Sequence, residues 1–69
     1  MFMHLKDDSG RNVYPNIYEI EVLYEHTTGN EPGFDHPRTK IRMKSGKEFT
    51  IPQSVERVLA AVNTTMEGA

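Results

Sequence analysis

Apolar and polar residues alternate in the run T-K-I-R-M-K, where Ile41 and Met43 are set apart by Lys40, Arg42 and Lys44. This is the period of a strand buried on one side. The run E-F-T-I repeats the spacing with Phe49 and Ile51. Requiring both apolar sets on one face decides the turn between them. A two-residue Ser45-Gly46 turn sets Met43 opposite Glu48 and mixes the faces. A three-residue turn, Lys44-Ser45-Gly46, sets Ile41 opposite Phe49 and Arg42 opposite Glu48. It also brings Gly46 to the position where a type I turn followed by a bulge needs positive φ. We expect a hairpin over 39–51 with that register.

Beyond Ile51 the period changes. Val55, Val58, Leu59, Val62 and Met66 fall on one stripe of a helix over 54–66. Pro52 suits the approach to a helix, Ser54 can cap it, and Glu56 lies in the first turn, where the helix dipole favours an anion. Gly68 follows the last apolar position as a stop. No other segment has helical periodicity, so this stripe is expected to cover the sheet.

The N-terminal segment 2–14 repeats the hairpin. Met3 and Leu5 alternate with His4 and Lys6, and Asp8-Ser9-Gly10 offers a second three-residue turn that sets Leu5 opposite Val13. Pro15 and Asn16 break the run. Over 18–25 the alternation returns, with Tyr18, Ile20, Val22 and Tyr24 expected toward the core and Glu19, Glu21, Leu23 and Glu25 outward. The loop 26–38 that follows holds two glycines and two prolines and has no regular pattern. Loops of that length in small domains tend to be functional or disordered. The sum is an α+β fold: four or five short antiparallel strands in a curved sheet, with one C-terminal helix on its apolar face.

Sixty-nine residues with 36% hydrophobic content allow one small domain with a thin core, and chains of this size gain from self-association. There is no cysteine, hence no disulfide and no thiolate metal site. The net charge of −2 argues against nucleic-acid binding by the molecule as a whole. No run is long and apolar enough for a membrane span and no signal-peptide pattern opens the chain, so we expect a protein of the cytoplasm of a bacterium or a phage-infected cell.

Candidate chemistry is sparse. Nucleophile motifs, a glycine-rich phosphate loop and an evident carboxylate pair are all missing, so no enzyme, cofactor or metal is expected. His26, Asp35 and His36 match no common ligand spacing. Arg38, Lys40, Arg42 and Lys44 form a cationic stripe that could hold phosphates of a small nucleotide or a nucleic acid. The row Glu19, Glu21 and Glu25 on the preceding strand makes a cross-strand charge ladder the preferred reading. Phe34 and His36 in the long loop, with Phe2, Tyr14 and Leu23 on the outer face, are the candidates for a protein-partner or homo-oligomer surface.

The run T-x-I-x-M-x-S-G-K-E-F-T-I-P-Q-S-V-E-R-V from Thr39 resembles the second half of the small flagellar and swarming motility proteins of the FlbD type. The first half, with the Gly10 turn, Val13, Asn16, Ile17 and Ile20, is similar in outline. This chain departs by a long loop, Gly29–Pro37, where that family makes a short turn. The resemblance implies the sheet-plus-helix fold more than any flagellar role, and brings no catalytic residues.

Overall fold

The computed structural model describes residues 1–26 and 37–68. Five strands and one long helix follow in order: β1 (Leu5–Lys6), β2 (Asn12–Val13), a 3-10 turn (Ile17–Glu19), β3 (Ile20–His26), β4 (Arg38–Met43), β5 (Glu48–Ile51) and α1 (Val55–Glu67). This is the expected α+β arrangement, with one refinement. The strands divide into a two-stranded ribbon, β1-β2, and a three-stranded sheet in the order β3-β4-β5. The ribbon is tied to the sheet where Asp8 donates its main-chain N–H to the Thr50 carbonyl on β5, at 3.0 Å.

Both hairpins have the registers that alternation requires, Leu5 opposite Val13 and Ile41 opposite Phe49. Their turns are near copies. Asp7 donates to Arg11 at 2.9 Å and Met43 to Lys47 at 2.8 Å, while Gly10 and Gly46 donate back to Asp7 and Met43 at 3.0 and 2.9 Å. Gly10 and Gly46 hold φ of 86° and 92°, a region that costs an L side chain roughly 1–2 kcal/mol. In the first turn the Asp7 carboxylate adds bonds from Ser9 N–H, Ser9 Oγ–H and Arg11 N–H, at 3.0, 2.7 and 2.9 Å. In the second, buried Met43 holds the equivalent position.

The core is Met3, Leu5, Ile41, Met43, Ile51 and Val58, with Val13, Ile17, Ile20, Leu23, Phe49, Ala61 and Val62 packed against it. On β4 the alternation is strict: Thr39, Ile41 and Met43 are buried, while Arg38, Lys40 and Arg42 are half-buried on the opposite face. Thr39 is a buried polar residue, satisfied by a 2.8 Å bond from its hydroxyl to the Gln53 carbonyl. That bond fixes the corner from which α1 starts. Ser54 caps the helix, its Oγ accepting from Arg57 N–H at 3.2 Å. The helix lies against β3 and β4 through Val58, Ala61 and Val62. Leu59 and Met66, expected on the covered stripe, remain 44% and 47% exposed. Gly68 closes the helix in a right-handed conformation (φ −79°), so the stop uses none of glycine's left-handed freedom.

β3 is where the expected facing is overturned. Residues 18 and 19 belong to the 3-10 turn, capped by the Asn16 side chain, which accepts Tyr18 N–H at 3.2 Å. A bulge then falls between Ile20 and Val22, so that Ile20 pairs with Met43 but Leu23 pairs with Ile41. Three residues of β3 span two of β4, and every later side chain changes face. Leu23 packs on the core, while Val22 and Tyr24 join Tyr18 among the exposed residues.

Candidate functional site

The outer face of the ribbon gathers aromatic rings. Phe2 makes an isolated bridge with Asn16 and is 67% exposed. Two residues on, His4 lies over Tyr14, with ring centroids 5.1 Å apart and planes 23° from parallel. His4 Nε2 donates to Asn12 Oδ1 at 2.8 Å, which fixes the imidazole against the tyrosine. Tyr14 is nonetheless 59% exposed. The pairings place Phe2 diagonally across from Tyr14 on the same face, within reach of aromatic side chains. Met3 and Leu5, which alternate with these rings, are buried. The ribbon thus turns aliphatic side chains inward and aromatic ones outward.

The cationic stripe is only partly available. Lys40 Nζ lies 3.8 Å from Glu48 Oε2, and Arg42 Nη1 lies 3.9 Å from Glu21 Oε1. Among the described residues one pair of the expected ladder, Glu21 with Arg42, is in place, while the partner of Lys40 comes from β5 instead. The Tyr24 hydroxyl reaches Glu48 at 3.5 Å. All these groups are solvent-exposed enough that each pair stabilises by roughly 0–1 kcal/mol. Lys44 stands in the turn, exposed, past the end of β4.

Among the predicted partner-contact residues, Phe2 and Tyr14 come together on the ribbon. Leu23 does not join them, because the bulge turns it into the core. Phe34 and His36 lie outside the described residues. Strict alternation missed the exposure of Tyr18, Val22 and Tyr24, and the helical stripe missed that of Leu59 and Met66. One signal for β3 was present: Ile17, Ile20, Leu23 and His26, spaced by three, are the half-buried positions in a run whose other members are exposed.

Among the described residues, Asp7 has a carboxyl with a distinct electrostatic environment. The Ser9 hydroxyl and then the Arg11 main-chain N–H hold its carboxyl below the usual value of 3.8. Both donors belong to its own turn, so the group is structural. An open depression at the start of α1 is lined by Pro37, Pro52, Gln53, Ser54 and Arg57. Among the described residues no group of three histidine or carboxylate side chains could hold a metal ion, and no helix is long and apolar enough to cross a membrane. Compared with protein-family models, characterised proteins and solved structures, the chain matches none.

Proposed function

We propose that this chain is a non-enzymatic regulatory module that docks onto a protein partner through the outer face of its N-terminal ribbon, with Phe2, His4 and Tyr14 as the contact. One observation carries the reading. Aromatic side chains bury the largest apolar areas and usually dominate a core. Here the buried core is Met, Leu, Ile and Val, while Phe2, Tyr14, Tyr18 and Tyr24 are exposed. A domain short of core material that packs Phe49 against its core yet leaves these four rings in water fits one whose rings are covered by a partner. We place this role in the cytoplasm of a bacterium or a phage-infected cell. A nucleotide or nucleic-acid role for the Arg38–Lys44 stripe is less favoured, because Lys40 and Arg42 already face Glu48 and Glu21.

The test is the double variant Phe2→Ser, Tyr14→Ser. Circular dichroism should match the parent, since neither ring is buried. Captured from bacterial cytoplasm, the parent should retain a protein that the variant loses, or sediment as an oligomer that the variant dissociates. Identical captured sets together with a monomer in both cases would overturn the proposal.

A further inference from the structure

β3 is the longest strand, seven residues, and it stands at one end of the sheet order. Which of its main-chain groups face outward follows from the register. Met43 donates to Lys47, just ahead of β5, and main-chain groups alternate between the two edges of a strand, so Ile41 and Thr39 turn to β5, where they pair with Phe49 and Ile51. Arg42 and Lys40 therefore turn to β3, where they meet Val22 and Tyr24. Lys44, in the same alternation, donates to the Glu19 carbonyl at 2.8 Å. The N–H and C=O groups of Leu23 and Glu25 are left pointing to the side away from β4. Among the described residues β4 is the one strand paired with β3, and no turn or loop main-chain bond reaches these groups.

That edge carries Glu21 and Glu25, follows directly on Glu19, and holds no lysine or arginine. A second copy of β3 would bring more carboxylates against these. A strand bearing lysine or arginine would find both main-chain partners and opposite charge. The protein already makes this match on its other side, where Arg42 of β4 lies 3.9 Å from Glu21.

We infer that the open edge of β3 accepts an extended, basic segment of a partner protein as an added strand, bonded through the main chain of Leu23 and Glu25. The inference concerns a surface separate from the ribbon and does not rest on the proposal made for it.

The probe is a short synthetic peptide alternating lysine and threonine, with a glutamate–threonine peptide as control. Amide hydrogen exchange of the full chain should slow about tenfold at Leu23 and Glu25 with the lysine peptide and stay unchanged with the control. Glu25→Pro removes the outward donor while leaving the bonds to β4 in place, and should abolish the protection. Glu19→Lys, Glu25→Lys should transfer it to the glutamate peptide. Phe2→Ser, Tyr14→Ser should leave it intact, which separates this edge from the ribbon. No slowing with the lysine peptide, equal slowing with both peptides, or slowing that depends on protein concentration alone would overturn the inference, the last by making a second copy the occupant.

Discussion

The Thr39 hydroxyl donates to the Gln53 carbonyl, joining the first buried position of β4 to the corner that launches α1. The residues are fourteen apart in sequence, and the bond closes a loop that contains the whole second hairpin. Because Thr39 is fully buried, its hydroxyl would be costly without this acceptor. Thr39→Val keeps the shape and removes the donor. We expect a loss of about 1 kcal/mol in urea unfolding, with Thr39→Ser losing less.

The bulge at Ile20–Val22 makes opposite demands on two neighbours. Leu23 packs on the core beside Ile41, whereas Val22 faces outward opposite Arg42. Leu23→Ala should therefore cost about 1–2 kcal/mol, scaled down from a fully buried leucine because the side chain is only half-buried. Val22→Ala should cost about 0.5 kcal/mol or less. Equal losses in chemical denaturation would mean that the two faces had been assigned wrongly.

The two turn glycines give a clean measure of backbone strain. A Cβ added at Gly10 or Gly46 would meet nothing within 4 Å, so any penalty comes from the positive φ alone. Gly46→Ala should destabilise by about 1–2 kcal/mol, and Gly46→Asn by less, since asparagine tolerates this region. Thermal unfolding of the pair checks the order.

Asp7 makes a signed pH prediction. Its folded carboxyl titrates below the ordinary 3.8 because the Ser9 hydroxyl, then the Arg11 N–H, bond the charged form. A depressed folded value means the contribution is complete above 3.8 and fades as the pH falls through the lower, folded value. Asp7→Asn should thus lower the melting temperature at neutral pH, with the gap to the parent closing in acid. A gap that widened in acid would contradict the assignment.

Removing either exposed ion pair should matter little. Lys40→Met and Glu21→Gln each should change stability by less than about 1 kcal/mol, and raising salt should shift the parent by a similarly small amount.

The two hairpins were legible in the sequence because each combines alternation with a three-residue turn that ends in glycine, Gly10 or Gly46. Only one register then buries Leu5 with Val13, or Ile41 with Phe49, while giving that glycine its positive φ. The start of the helix was equally local: Ser54 finds its acceptor role within one turn. For the candidate surface, the outward placement of Phe2 and Tyr14 followed from the same alternation.

What the tertiary structure alone decided is the facing of β3 and the rotation of α1. In I-E-V-L-Y-E apolar residues occupy both parities, so a single inserted residue exchanges the faces without changing composition, and burying Leu23 against Ile41 selects one. The helix then meets a sheet whose core-side contour is set by Leu23 and Ile20. It buries Val58, Ala61 and Val62 and leaves Leu59 and Met66 at the margin. Local spacing fixes which residues can share a face. Which face is covered depends on contacts between segments far apart in the chain.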